Sequence, residues 1–197
     1  WIALALALLA AQGPPPDRLS ARAESLLAVG DVQKALKLAR KVVQQRPNDS
    51  HAHFLLGRVH YDRAIIGRWW ALAEFQKAAR LAPDDPAPLY WQMKVGFYLR
   101  SEDGDRIARD ALLQLFAVHP DYLDAWERFH DVYQSPSIWR QAERALARRG
   151  DDPTALERRA ELRIALGDGK RADSLLAVAV GRRAPTVKTD RLRSEAS

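Results

Sequence analysis

The sequence contains no cysteine, and this absence removes several classes of protein. Without a thiol the chain has no disulfide framework, no thiolate nucleophile, no zinc ribbon and no cysteine that could carry a lipid. Sustained alternation of apolar and polar residues, the mark of a half-buried strand, is also missing. Good helix formers (Ala, Leu, Arg, Glu, Lys and Gln) dominate instead. The sequence therefore predicts an all-α protein.

The apolar run at residues 1–11 is too short for the ~20 residues that a membrane-spanning helix needs, so no transmembrane span is predicted. Its small residues Ala10 and Ala11 and the GPPP breaker at 13–16 are typical of a secretory signal peptide. We expect residues 1–16 to be a signal-peptide remnant with a Pro-rich linker. The protein is then exported by a bacterium to the periplasm or envelope. The alternative is a buried helix in a cytoplasmic protein.

No catalytic constellation stands out in the sequence. Gly96 and Gly104 are not followed by the Lys-Ser/Thr of a phosphate loop. His51, His53 and His60 invite a metal site, but packed histidines with satisfied nitrogens are the favoured interpretation. We therefore predict no enzyme, no cofactor and no metal. The net charge of +6 combines abundant residues of both signs, which permits an acidic partner without requiring nucleic acid.

One segment of the chain returns far downstream. GDVQKALKLARKVVQQRPND begins at Gly30, and GDGKRADSLLAVAVGRRAP begins at Gly167. Both open on Gly-Asp, place an Ala five residues after the Gly (Ala35, Ala172) and end on a proline. Their separation is close to four periods of about 34 residues, the length of a helix-pair repeat. Gly-Asp or Asp-Gly turns are predicted at Gly30, Asp103 and Gly167.

These features resemble the tetratricopeptide repeat (TPR) family, whose small residues let paired helices approach closely. The best-matching unit has Leu56-Gly57 on its first helix and Ala71, Phe75 and Ala78 on its second. The resemblance implies an all-α, right-handed superhelical solenoid of about five antiparallel helix pairs, or ten helices. The array covers residues 17–185, with units at 17–49, 50–85, 86–120, 121–153 and 154–185. A basic polar tail, 186–197, follows.

The second unit has a turn that is two residues too long, around IIGRWW at 65–70. Trp69 and Trp70 lie in this stretch, and adjacent helical residues point about 100° apart. At least one Trp is then expected to face away from the interior, as a possible surface patch for a partner. The alternative is that the long turn folds back and covers both.

The family resemblance also predicts the position of a partner-binding site. In TPR proteins the first helices of successive repeats line a concave groove that binds peptides or partner segments. The corresponding positions in this sequence predict a groove whose first half is aromatic and basic and whose second half is acidic. Glu157 and Glu161 continue the acidic half. The alternative is a solvated face without a ligand. The predicted groove residues are Phe54, Arg58, Tyr61, Tyr90, Met93, Phe97, Arg100, Asp124, Glu127 and Asp131.

We therefore predict a non-enzymatic scaffold for protein–protein interaction. Phe54, Arg58, Met93 and Phe97 replace the Lys and Asn that hold a partner's terminal carboxylate in the best-known groove type. A segment with an apolar anchor and a basic flank suits this groove better. One alternative is the TPR region of a larger bacterial envelope protein whose effector domain is missing. Another is nucleic-acid binding through the Arg-rich surface, which the acidic half of the groove disfavours because it repels phosphate.

Overall fold

The computed structural model describes residues 18–63 and 67–196, apart from the side chains of residues 123 and 124. The signal-peptide prediction for residues 1–16 lies outside this part of the chain. All the regular structure in the described residues is α-helical, as predicted. The helices are α1 (Arg18–Ala28), α2 (Val32–Gln45), α3 (Ser50–Arg63), α4 (Gly67–Leu81), α5 (Pro86–Leu99), α6 (Glu102–Val118), α7 (Leu123–Val132), α8 (Pro136–Ala147), α9 (Pro153–Ala165), α10 (Gly169–Arg182) and α11 (Val187–Ala196).

The chain divides into two compact units, with the boundary between Pro83 and Asp84. We call α1–α4 the N-terminal unit and α5–α11 the C-terminal unit. In the N-terminal unit, α1 packs on α2, α2 on α3 and α3 on α4. In the C-terminal unit, α5 packs on α6, α9 on both α8 and α10, and α11 on both α10 and α9.

The returning Gly-Asp pair has the same structure at both places. Gly30 adopts a left-handed φ of 79° and ends α1, while Gly167 adopts a φ of 76° after α9. The next residue donates its backbone N–H back across the turn, from Asp31 to Leu26 O (2.8 Å) and from Asp168 to Arg163 O (2.8 Å). This pattern is the Schellman motif, for which glycine is the preferred residue.

Each of these aspartates then caps the following helix. The Asp31 carboxylate accepts from the Lys34 backbone N–H (3.2 Å), and the Asp168 carboxylate accepts from the Arg171 N–H (3.4 Å). The predicted turn at Asp103 is wrong, because Asp103 lies in the first turn of α6. The chain reverses just before it, at Arg100, which has a left-handed φ of 45°. Ser101 caps α6 there.

Small residues bring paired helices close, as the repeat pattern predicts. A Cβ added to Gly57 would lie 2.7 Å from the ring of Phe75, which is fully buried on α4. A Cβ on Gly96 would lie 2.6 Å from both the Ala108 N and the Gly104 O of α6. In the first case a ring fills the space above the glycine, and in the second the two backbones themselves are in contact.

The eleventh helix corrects the prediction of a polar tail at 186–197. Leu192 of α11 is 1% exposed and packs in one cluster with Ala160, Ala172 and Leu176. Thr189 is also buried and donates its hydroxyl to the Glu157 carboxylate at 2.6 Å. The segment is polar in composition, but Leu192 and Thr189 contribute an apolar and a hydrogen-bonding contact that hold it against α9 and α10.

Candidate partner-binding groove

A groove of about 710 Å³ opens between α7, α9 and α11 of the C-terminal unit. We call it the C-terminal groove. Its walls combine apolar side chains with charged side chains of both signs. The lining residues are Trp126, Glu127, His130, Asp131, Arg158, Glu161, Ile164, Ala165, Val187, Lys188, Arg191, Leu192 and Glu195.

An aromatic cluster forms one side of this groove. Trp126 is 3% exposed, and the His130 ring meets it edge-on with the ring centres 4.7 Å apart. The Arg158 guanidinium lies over the Trp126 ring at 4.8 Å, a cation–π contact that places a fixed positive charge in the wall. Phe116 packs against the other side of Trp126 at 5.1 Å. These contacts hold the groove wall rigid.

His130 is half-buried in this wall. Burial lowers the pKa of its imidazole, and Arg158 and Lys188 lower it further, against the opposing effect of Glu161 and Asp131. Its Nε2 is buried without a hydrogen-bond partner in the described part of the chain. An imidazole nitrogen without a partner is a polar position in an otherwise packed wall.

The Lys188–Glu161 ion pair of the C-terminal groove attaches α11 to α9, and neighbouring pairs lie within α9 or join the end of α10 to α9. The Lys188 ammonium donates to the Glu161 carboxylate at 2.7 Å, and Arg158 reaches the same carboxylate at 3.3 Å. Burial lowers the pKa of Lys188, while its hydrogen bond to Glu161 opposes the shift. Arg183 donates to Glu157 at 2.7 Å. A buried carboxylate is stable only with such partners, so these pairs are structural.

Glu157 and Glu161 therefore do not extend an open acidic surface as predicted. Glu157 is 3% exposed and is shared between Arg183 and Thr189. Glu127 and Asp131, on α7, are the carboxylates that stay open: both are exposed, and neither forms an ion pair with any described residue. Both also line the C-terminal groove. The side chain of Asp124 lies outside the described residues.

No family model matches the chain, and neither does any curated protein. Among solved structures, the protein MamA is similar at 20% identity, over 81% of this chain and 87% of that chain, with a TM-score of 0.51. YrrB, described as a TPR protein with an unusual peptide-binding site, is similar at 15% identity. That match covers 87% of this chain and 88% of that chain, with a TM-score of 0.50. The chain has the TPR fold.

The TPR fold explains the position of the C-terminal groove. In a TPR array, the first helix of each repeat packs on both helices of the repeat before it. The helix α11 packs on α9 and α10 in this way, so it occupies the place of a first helix after the fifth pair. The three helices around the groove, α7, α9 and α11, are thus three successive first helices.

The predicted groove residues on α5 have different environments. Met93 is 2% exposed, so its assignment to an open face is wrong. Tyr90 packs against Tyr122 at 5.2 Å. Phe97 and Arg100 line a second groove of about 740 Å³, formed with the start of α6. This second groove shares no lining residue with the C-terminal groove.

The remaining predicted groove residues, Phe54, Arg58 and Tyr61, lie on α3 of the N-terminal unit, and all are half-buried. The Phe54 ring packs against Phe75 at 5.7 Å, and the Arg68 guanidinium lies over Tyr61 at 5.5 Å. Each ring thus has a partner within its own unit.

Two of the three histidines of α3 have polar partners, whereas the buried Nδ1 of His60 has no hydrogen-bond partner among the described residues. His53 Nδ1 pairs with Glu74, and its Nε2 lies 2.9 Å from the Pro47 carbonyl oxygen. His51 Nε2 lies 2.9 Å from a Glu24 carboxylate oxygen. Across residues 18–63 and 67–196, no three acidic or histidine side chains are grouped in a way that could hold a metal. The same residues include no helix that is long and apolar enough to cross a bilayer.

Trp69 and Trp70 lie in the first turn of α4, not in a turn between helices as predicted. Their side chains are 49% and 54% exposed, so neither is covered. The sequence reasoning missed the groove residues on α11, among them Lys188 and Arg191. The available signal was the spacing of Thr189, Leu192 and Ala196, which lie three and four residues apart on one helix face.

Proposed function

We propose that the protein is a non-enzymatic interaction scaffold that binds a partner segment in the C-terminal groove. The segment carries an apolar anchor and a basic flank. The observation that carries this proposal is the pair of open carboxylates, Glu127 and Asp131, beside apolar groove residues such as Ile164 and the 89% exposed Val187. Repeat folds present extended surfaces of this kind to partners. The peptide-binding site named for YrrB supports the same use of the fold.

The charges favour a basic flank for a definite reason. Arg158 and Lys188 are paired with Glu161, and Arg191 lies 3.4 Å from Glu195, so the cations of the groove are largely neutralised. The carboxylates of Glu127 and Asp131 have no such cation in the part of the chain that the structure describes. A lysine or arginine of a partner supplies one, whereas a phosphate backbone is repelled. This is why a peptide is favoured over nucleic acid.

The test uses immobilised twelve-residue peptides, each with a central Leu or Phe and either Lys/Arg or Asp/Glu flanks. We expect the basic set to bind and the acidic set not to bind. The double variant Glu127→Gln/Asp131→Asn should weaken binding about three- to tenfold at low salt, mainly through slower association. At high salt the difference should shrink, because exposed charges are screened.

The matched control is Asp62→Asn/Asp173→Asn, which changes net charge equally at exposed positions outside the groove. It should bind basic peptides like the parent. If the control binds the basic peptides as weakly as the groove variant does, the loss of binding comes from the change in net charge, and the proposed site is wrong. Phe97→Ala should also leave binding unchanged, since Phe97 lines the second groove. A loss with Phe97→Ala alone would move the site to that groove.

We also propose that the protein is exported, on the basis of the signal-like sequence at residues 1–16. The chain, placed behind a basic start segment and expressed in a bacterium, should be recovered outside the cytoplasm with its first residue near Gln12. Full-length chain in the cytoplasmic fraction, with Trp1 retained, would contradict export.

A further inference from the structure

Two adjacent tryptophans in the N-terminal unit have no role in either groove. Trp69 and Trp70 are 49% and 54% exposed at the start of α4. Exposed neighbouring indoles are unusual on a protein surface, where large aromatic groups tend to mark a contact. We call these two residues, together with the basic side chains around them, the tryptophan corner.

The position of the tryptophan corner is fixed by packing. The buried ring of His60 on α3 contacts Trp70, with the ring centres 5.4 Å apart. The guanidinium of Arg68, between the two helices, lies over Tyr61 at 5.5 Å. Because the indoles stand on a helix that is held in this way, little conformational entropy is lost when they enter a new environment.

Two arginines act on the buried His60 ring that contacts Trp70, and the Cβ of one of them, Arg63, would lie 3.4 Å from a Cβ added to Gly67 at the start of α4. Burial lowers the pKa of His60; Arg40 and Arg63 lower it further, and Glu74 partly opposes them. Arg40 is on α2 and Arg63 is at the end of α3; both side chains are exposed and neither has an ion-pair partner among the described residues. Glu74 is paired with the His53 ring.

One exposed carboxylate, Asp62, adjoins Arg63 in sequence. It reduces this positive field without cancelling it, because Arg40 and Arg63 are both open. Exposed cations beside exposed indoles therefore distinguish the corner from an ordinary apolar patch.

We propose that the tryptophan corner binds the surface of an anionic phospholipid bilayer. Indole rings favour the headgroup region, where an apolar ring and a polar N–H are both accommodated. Arginines next to them are attracted to anionic lipids. The angle between the two side chains favours lipid over protein: adjacent helical residues point about 100° apart, so one flat protein surface would cover only one indole. A fluid headgroup layer surrounds both.

The direct test is flotation of the full chain with vesicles of phosphatidylglycerol and phosphatidylcholine in equal amounts. Vesicles of phosphatidylcholine alone give the comparison. We expect stronger binding to the anionic vesicles. Trp69→Ala/Trp70→Ala should lower the partition coefficient at least about tenfold, since both rings leave the interface. Tyr98→Ala removes a similarly exposed ring (48%) from the C-terminal unit and should bind like the parent.

The charge requirement has its own pair of variants. Arg40→Gln/Arg63→Gln should lower binding to the anionic vesicles about 25-fold and leave binding to neutral vesicles unchanged, because each cation near a charged surface contributes about fivefold. Arg148→Gln/Lys170→Gln changes the net charge equally at exposed sites of the C-terminal unit, and it should have no effect. All variants keep residues 1–11, so any lipid affinity of that apolar run is common to them.

Three outcomes would overturn the proposal. The tryptophan variant could bind vesicles like the parent, or the two charge variants could lose binding equally. The third outcome concerns sedimentation of the parent in the absence of lipid. If the parent self-associates and Trp69→Ala/Trp70→Ala abolishes this self-association, the tryptophan corner is a contact between copies of the chain. Arg40 and Arg63 have no ion-pair partners to lose among the described residues, so Arg40→Gln/Arg63→Gln decides the question even if the tryptophan variant unfolds. None of these results depends on the C-terminal groove.

Discussion

Gly96→Ala and Gly181→Ala are the same chemical change and should have opposite effects on stability. A Cβ at Gly96 would lie 2.6 Å from the backbone of α6, at both Ala108 N and Gly104 O. Ordinary contacts of this kind are about 3.5–4 Å, so α5 and α6 must separate by about 1 Å. Overpacking of this kind costs about 3 kcal/mol, and the better helix propensity of Ala returns about 1 kcal/mol. The net loss is about 2 kcal/mol.

Gly181 provides the matched control. It lies near the end of α10, in the same unit, and an added Cβ would have no atom within 4 Å. Alanine there restricts the unfolded chain and favours the helix, which should stabilise the protein by about 0.5 kcal/mol. Thermal unfolding followed by circular dichroism at 222 nm measures both. At about 4 °C per kcal/mol, we expect a Tm about 8 °C lower for Gly96→Ala and about 2 °C higher for Gly181→Ala. A raised Tm for Gly96→Ala would refute the close approach of α5 and α6.

Two further predictions concern the slots of the repeat and the buried histidines. Ala71 is fully buried, so Ala71→Arg should lower the free energy of unfolding by several kcal/mol through overpacking and burial of an unpaired charge. Arg80 is exposed, and Arg80→Ala should change the free energy of unfolding by no more than about 0.5 kcal/mol. Equal Tm shifts for the two variants would contradict the assigned repeat positions. Burial lowers the pKa of His60 and His130 in the folded state below the unfolded value of about 6.5. The contribution of these two histidines to the free energy of unfolding should therefore be constant above about pH 7.5 and fall as the pH drops below 6.5. Urea titrations at pH 7.5 and 5.5 measure this, and His130→Gln should flatten the dependence.

The helix pairs could be predicted from the sequence because their signals are local. A glycine that must adopt positive φ and an aspartate that caps the next helix occupy adjacent positions, and the pair returns at Gly30 and Gly167. The third turn could not be found in this way, since Arg100 takes the left-handed conformation there. The sequence offered Asp103-Gly104 as a more usual turn, but those residues begin α6.

The candidate site was harder to predict because it depends on which helix faces are covered. Met93 shares a helix with Tyr90 and Phe97, and its spacing alone suggested the same open face. Apolar and small side chains cover much of the circumference of α5, so the 3.6-residue period does not single out one buried face. The burial of Met93 therefore follows from how α5 packs against other helices of the C-terminal unit. The sequence of α5 alone does not predict this packing.

The eleventh helix shows how the open carboxylates arise. Polar side chains of α11 would be expected in solvent, but Lys188 and Thr189 meet carboxylates of α9 that would otherwise be open. Because these contacts use Glu157 and Glu161 for structure, the charge left for a partner is on α7, at Glu127 and Asp131. In the proposed complex, a basic segment has no ion pair among the described residues to break, so its binding would leave the attachment of α11 intact. The segment replaces only water around two exposed carboxylates, a low desolvation cost that favours rapid, salt-dependent association.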